Sequence, residues 1–449
     1  MQLNNNDSRP GLRAVLTSLV MLVALTGCQT DFPNPNLPSE EQVLSSREGL
    51  IAFSTGTKQV FSTSGLRWLI ETPAITTREV AVTTTFLNMV ELEAGGTILP
   101  NNNSNVDGMW STMLSLVAAC DKLTDGAERV TLAPETRASI QSFSRTIKAM
   151  SIGALAQHFE RVVVETNTDN TASFVTREEA FAVAIAELEA ARDALTDGVP
   201  TAEFQTAVLR EIDLANTISA MLARFNLYAG NYESAISAAR AVDLGVASVF
   251  EYDVMNANPI WERVVLNALP NWKPRDNFGL PAAFDVPEND DRRNFYLVAN
   301  DSLLSLNELP IEDLAGFFTA PTTSIPVYLP DEMRLIIAEA VLRSSGNTSS
   351  ALGQIDAVRT DTTDVFGVNA GLEEYSGDTS VDALLDEVYL QRRLELFLTG
   401  QSLEDSRRFG RPQPSLQSGV LTDERNRNFY PYPERERNSN PNIPDDPAI

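Results

Sequence analysis

Arg392, Arg393, Arg407 and Arg408 stand beside Glu395 and Asp405 in one short stretch near the end of the chain. Such a set can grip an anion, or it can close on itself as ion pairs that tie a helix to the turn after it. Acid–base and nucleophilic chemistry have less to draw on. His158 is the only histidine, and its apolar context, ALAQHF, suits a structural imidazole better than a catalytic one. That excludes histidine-rich zinc sites and argues against a Ser-His-Asp triad. With 61 acidic residues in the chain, some pair falls at glycosidase separation by chance, so carboxylate pairs carry no information here. Asp285, Glu288, Asp290 and Asp291 cluster like hard-cation ligands but lack the spacing of an EF-hand. The expectation is a protein without catalysis, metal or cofactor.

Binding chemistry is better represented. Sugars are recognised by aromatic faces against their C–H surfaces, with amides and carboxylates for the hydroxyls. Trp261, Trp272, Phe295 and Tyr296 lie in irregular sequence, close to Asn271, Arg275, Asp276 and Asn277. Asn101, Asn102 and Asn103 form a second polar loop. The candidate ligand residues are therefore Trp272, Trp261, Phe295, Tyr296, Asn277 and Asn102. The opposing reading, in which such aromatics pin loops onto helices, is the better one for any single ring. Trp68 and Trp110 read as core.

These residues need a scaffold, and the pattern is helical. Val327 to Arg359 reads as two antiparallel helices: Pro330 suits a first helical position, and Asp331 and Glu332 face the positive end of the helix dipole. Met333, Ile336, Ile337, Ala340 and Val341 form one apolar stripe. Gly346-Asn347 makes the turn, and Ser349 or Ser350 is expected to cap the second helix. Gly230-Asn231 followed by Ala235-Ile236 repeats the device, and Gly230, Tyr232 and Ala235 match the core of tetratricopeptide-like helix pairs. Further helices are expected over Glu40 to Val60, Trp110 to Leu123, Pro134 to Phe159 and Ala202 to Ala229. Thr176 and Glu179 form a capping box for another, and Ala94 to Trp110 reads as a long loop. Residues 250–328, broken by prolines such as Pro259, Pro270, Pro274, Pro281, Pro287 and Pro310, read as an irregular insertion of the kind that carries binding loops.

Composition and the first residues set the compartment. A 449-residue chain with 43% hydrophobic residues can bury a large core, and a net charge of −27 repels nucleic acid. Arg9 and Arg13, the run AVLTSLVMLVAL and then Leu25-Thr26-Gly27-Cys28 read as a signal peptide too short to span a bilayer permanently. Cys120 is left alone in the mature chain, without a disulfide partner, and reads as a small buried hydrophobe. DFPNPNLPSE reads as an extended tether reaching about 35 Å.

The four residues ending at Cys28 resemble a bacterial lipobox, which implies that Cys28 is acylated (palmitate among its chains) and becomes the mature N-terminus. Glu387 to Pro412 resembles the signature of SusD/RagB-like outer-membrane nutrient-binding lipoproteins. That signature is an Arg-rich helix with Glu-Leu, then Gly, then Asp-x-Arg-Arg-aromatic-Gly. Arg392, Arg393, Glu395, Leu396, Gly400, Asp405, Arg407, Arg408, Phe409 and Gly410 match it; Gln391 and Thr399 stand where the family commonly has Glu. Val327 to Arg359 is similar to the family's alanine-and-glutamate helix, and Phe429 to Ile443 to its closing proline-and-asparagine motif. Ser142 to Phe159 is similar to its earlier long helix. The resemblance implies an all-α fold of tetratricopeptide-like hairpins with an irregular, loop-rich ligand-facing region. It implies a signal peptide over 1–27, a lipidated tether over 28–45 and a SusD-like helical domain over 46–449. Within that domain the helical core is expected at about 110–245 and 327–410, the insertion at about 250–326 and an extended tail at about 411–449. It favours the ion-pair use of the arginines. It also implies a SusC-like TonB-dependent outer-membrane transporter as partner, with the protein capturing a nutrient, a glycan first and a peptide second, at the cell surface. The alternatives are a helical-repeat scaffold lipoprotein of an envelope complex without a small ligand and, third, a glycan-processing enzyme.

Overall fold

In a computed structural model the described residues are Met1, 39–167, 169–196, 198–265, 270–300 and 304–449. The signal peptide, Cys28 and most of the tether lie outside them. The chain divides into two compact units, Met1–Val43 and Leu44–Ile449. In the first, Glu40–Val43 makes one helical turn.

The second unit begins with α1 (Arg47–Val60), capped by Ser46, whose side chain accepts from the Gly49 amide. The expected helix over Glu40 to Val60 is therefore interrupted before Ser46, a residue that starts helices better than it continues them. A π-helical segment, Phe61–Gly65, carries α1 into α2 (Leu66–Thr76), and α3 spans Leu87–Ala94. Asn103 caps α4 (Ser104–Arg129), so the expected loop is shorter than Ala94 to Trp110 and Trp110 sits inside the helix. Then come α5 (Pro134–His158) and α6 (Arg177–Asp193), the latter opened by the Thr176–Glu179 capping box.

The expected helix over Ala202 to Ala229 is broken. A helical turn at Ala202–Phe204 runs into a π-helical segment, Gln205–Leu209, and Arg210 takes a left-handed φ of 58°. Asp213 then accepts from the Asn216 amide at 2.8 Å and starts α7 (Leu214–Tyr228) afresh. Asp, Asn, Ser and Thr compete for backbone hydrogen bonds, and three of the breaks fall at such residues.

After α7 come α8 (Tyr232–Arg240), the short α9 (Pro259–Val264) and α10 (Asp291–Tyr296). The hairpin α11 (Pro330–Ser345) and α12 (Thr348–Arg359) follows, then α13 (Val381–Glu395), α14 (Ser402–Arg408) and α15 (Glu434–Ser439). The turn between α11 and α12 is as read: Gly346 takes φ 64°, ψ 20°, which glycine adopts without steric cost. The cap of α12 differs, since Asn347 rather than Ser349 or Ser350 accepts from the Ser350 amide.

Successive helices pack on one another from α4 through α8, then onto α11, α12 and α13. At Gly153 of α5 any side chain would collide with the Phe225 ring of α7, which sets how closely those helices approach. The strands are short and pair two by two, all antiparallel: β1 (Val80–Val82) with β5 (Trp272–Pro274), and β2 (Arg161–Val163) with β3 (Phe174–Thr176). Likewise β4 (Val249–Phe250) pairs with β8 (Ile325–Pro326), and β6 (Leu297–Val298) with β7 (Asp313–Leu314). The fold is all-α, built of helical hairpins with an irregular segment between α8 and α11. Among the described residues no helix is long and apolar enough to cross a membrane.

Candidate functional site

The aromatic candidates separate by burial. Trp272 lies in β5 opposite Val82 of β1 and is fully buried. Its Nε1–H donates to Glu71 Oε2 at 2.8 Å, and Glu71 also accepts from Arg263 Nε at 3.0 Å and Asn105 Nδ2 at 3.0 Å. An indole spent in this way cannot present a face to a sugar, so the expectation of an exposed loop at Trp272 is corrected. Tyr296 is also fully buried, its hydroxyl donating to the Glu395 carbonyl at 3.1 Å. It ends α10 within a cluster of Phe278, Phe295, Phe317 and Phe397 rings, centroids 4.8 to 6.5 Å away. Burial corrects that expectation as well. Phe295 is half-buried, edge-on to Tyr296 at 4.8 Å and to Phe317 at 5.1 Å. These rings hold the irregular segment against the helices.

Trp261 is half-buried in α9 and stands outside that core packing. Asn277 closes its own turn, donating to the Leu280 carbonyl at 2.7 Å and accepting from the Gly279 amide at 3.1 Å. Asn102 is exposed at the turn before α4. Of the six residues, only Phe295 and Tyr296 are shown in contact with each other.

The arginine signature resolves into ion pairs. Arg392 of α13 grips Asp405 of α14 with two bonds, Nε to Oδ2 at 2.8 Å and Nη2 to Oδ1 at 3.1 Å, and both residues are buried. Arg408 reaches Asp405 at 2.8 Å and also bonds Glu339 of α11. Arg407 and Arg177 meet on Glu404. Burial alone would raise the Glu404 and Asp405 pKa values, but the arginines around them win and hold both below the usual carboxylate range. Gly400 turns the chain between the two helices at φ 85°, where a Cβ would run into the Leu69 carbonyl.

Gln391, where the family commonly carries Glu, accepts from Arg292 at 2.7 Å and donates to Glu387 at 2.8 Å. Arg292 in turn holds Asp290 with two bonds, at 2.9 and 2.7 Å. Asp290 thus leaves the acidic cluster for an ion pair, and among the described residues no group of three or more His, Cys, Asp or Glu is placed to hold a metal.

Two of the cavities among the described residues hold titratable side chains. One of about 80 Å³ lies in the helical core among Phe61, Phe225, Phe250 and Phe317, beside the Arg224–Glu332 pair. His158 lines it, buried, its Nδ1 at 2.7 Å from the Ala154 carbonyl; burial pushes its pKa down to about 4, so it is neutral at pH 7. The other, about 160 Å³, is a polar cleft between α1 and the Gln205–Arg210 turn, with Lys58, Gln59, Arg210, Glu251 and Asn256 on its walls. Sequence reading passed over this cleft. Its one signal was a lone lysine in the Ser- and Thr-rich run of α1.

No protein-family model and no curated protein matches the chain. Solved structures do. A SusD superfamily protein from Bacteroides vulgatus superposes with a TM-score of 0.68 at 14% identity, over 89% of this chain and 98% of that one. A SusD-like carbohydrate binding protein from Bacteroides fragilis gives 0.65 at 14%, over 90% and 100%. Surface glycan-binding protein A from Bacteroides uniformis gives 0.67 at 17%, over 89% and 99%. At such identities the likeness is one of fold, and it runs through nearly the whole of each chain: this protein has the fold of the SusD superfamily.

Proposed function

We propose that this chain is a SusD/RagB-like capture lipoprotein that binds a glycan at the cell surface and performs no chemistry on it. The observation that carries the reading is the end-to-end match to a fold whose solved examples include proteins named for carbohydrate and surface-glycan binding. The buried, neutral His158 and the pairing of the signature arginines with carboxylates support binding over catalysis. In this reading Cys28 carries the acyl chains that hold the protein to the outer membrane, and a SusC-like TonB-dependent transporter receives the ligand. Two or three acyl chains anchor stably where one does not.

The test is direct. The lipid-free mature protein, titrated calorimetrically against a panel of bacterial and plant oligosaccharides, binds at least one class; crosslinking in intact cells recovers a TonB-dependent barrel with it. Metabolic labelling with a fatty-acid analogue marks the wild type and not Cys28→Ser. The scaffold alternative draws support from the burial of Trp272 and Tyr296, which leaves few exposed rings in the irregular segment. It predicts no oligosaccharide binding and recovery with a different partner.

A further inference from the structure

The polar cleft beside α1 has features that the buried ion pairs elsewhere do not explain. Both π-helical segments among the described residues border it: Phe61–Gly65 continues α1 at its edge, and Gln205–Leu209 forms the opposite wall. Such segments are uncommon and gather at functional sites. The second ends on Arg210, whose left-handed φ of 58° is a strained conformation for a long side chain. Its amide closes the π-turn on the Gln205 carbonyl at 2.6 Å, and the Gln205 side chain braces the Arg210 carbonyl at 2.6 Å. The strain is held by the surrounding structure and places Arg210 over the cleft.

Thr55, Lys58 and Gln59 are spaced i, i+3 and i+4, so α1 presents them on one face. Thr55 Oγ1 donates to the Ala207 carbonyl at 3.2 Å, tying the two walls together. Arg210 Nε holds Glu251 Oε2 at 2.7 Å, and Asp253 accepts the Met255 and Asn256 amides of its own turn, each at 2.8 Å. Tyr252 is buried beneath, its hydroxyl on the Ser62 carbonyl at 2.7 Å. Each carboxylate facing the cleft is thus engaged. Lys58 Nζ makes no hydrogen bond or ion pair among the described residues, although acidic residues outnumber basic ones 61 to 34.

We infer that this cleft is a subsite for one uronic acid residue of an acidic glycan, with Lys58 as the partner of the sugar carboxylate. The step rests on the capture reading above. One free ammonium matches a singly charged carboxylate, and Glu251 and Asp253 disfavour a dianion. Arg210 and the Gln59–Asn256 pair, whose side chains bond each other across the cleft, supply donors and acceptors for the hydroxyls. Val60 (43% exposed) and Met255 (87% exposed), each one residue along the chain from a lining side chain, are exposed apolar residues available to a C–H face. The volume takes a single sugar residue. The state of Lys58 without ligand agrees: burial first, and Arg210 second, lower its pKa to about 8 against the pull of Glu251, and the negative charge of a bound carboxylate would favour its protonated form.

The experiment titrates the lipid-free mature protein with oligomers of galacturonate, mannuronate and guluronate, and with the methyl esters of the same oligomers. The expected result is binding of at least one free acid about tenfold tighter than its ester, a preference erased by Lys58→Gln and kept by Lys58→Arg. It should weaken with added salt and as pH rises through about 8, where the free Lys58 loses its proton. Lys58→Gln should leave the melting temperature unchanged. Binding of neutral or sulfated oligosaccharides with no preference for uronates, or a preference that survives Lys58→Gln, overturns the subsite and leaves capture standing. Failure to bind any oligosaccharide, acidic or neutral, overturns both.

Discussion

Around α13 and α14 the chain draws arginines and carboxylates out of water; beside α1 it sets Lys58 and Arg210 on the walls of an open cleft. In the first region the pairs close: Arg392 on Asp405, Arg408 on Glu339 and Asp405, Arg292 on Asp290. In the second, Arg210 has Glu251, and Lys58 has no hydrogen bond or ion pair among the described residues. The residue types are the same, and what separates structure from recognition is whether every charge is already answered. A buried charge must be paired because desolvation is costly, so its partner is part of the fold. A half-exposed cation can wait for a ligand, because water covers it in the meantime.

The largest expected effect tests the closed region. Arg392→Ala leaves Asp405 buried with one partner fewer and should destabilise the protein by about 3–5 kcal/mol in urea denaturation. If the loss is under about 1 kcal/mol, the network is not holding α13 to α14.

Trp272→Ala should cost a similar amount, about 3–5 kcal/mol, because it empties a buried site and takes one of three donors from Glu71. A ligand-contact tryptophan would instead lose affinity at constant stability, so measuring both on one variant separates the two roles.

A smaller effect is expected from Glu79, buried between Ser402 and Arg393, where burial raises its pKa from 4.5 to about 6. The folded state holds this proton more tightly than the unfolded chain does. The resulting stability is fully present below pH 4.5 and is lost as pH rises through about 6. It amounts to about 2 kcal/mol, and Glu79→Gln should abolish that part of the pH dependence. A wild-type slope unchanged in the variant would assign the titration elsewhere.

The smallest change in stability belongs to the open region: Lys58→Gln should shift unfolding by no more than about 0.5 kcal/mol. A loss as large as that of Arg392→Ala would make the two regions alike.

Where the determining interactions are local, the sequence was readable. The Gly346 turn, the Thr176–Glu179 box and the ion pair of Arg392 with Asp405 each span a few to thirteen residues, within reach of spacing arguments. Trp272 was misread because its partners, Val82 and Glu71, lie about 200 residues upstream, and nothing near it announces a strand. Lys58 was passed over for a related reason. Its cleft is assembled from α1, the Gln205–Arg210 turn and the loop after β4, and π-helical segments leave no periodicity to read. The break at Arg210 went unseen because Ile212 and Leu214 continue the apolar spacing through it.

The last stretch of chain returns to the first helices. Asn426 donates to the Leu92 and Glu93 carbonyls, Tyr430 bonds the Thr76 hydroxyl and the His158 carbonyl, and Tyr432 is buried against Trp110 and Phe159. Helices near residue 100 are therefore sealed by residues beyond 420. The closing contacts of α2 to α5 come from residues more than 250 positions beyond the end of α5. Contacts of such sequence separation form slowly. Until residues 426–432 dock, the core around α2 to α5 stays open, and that segment acts as the clasp that closes it.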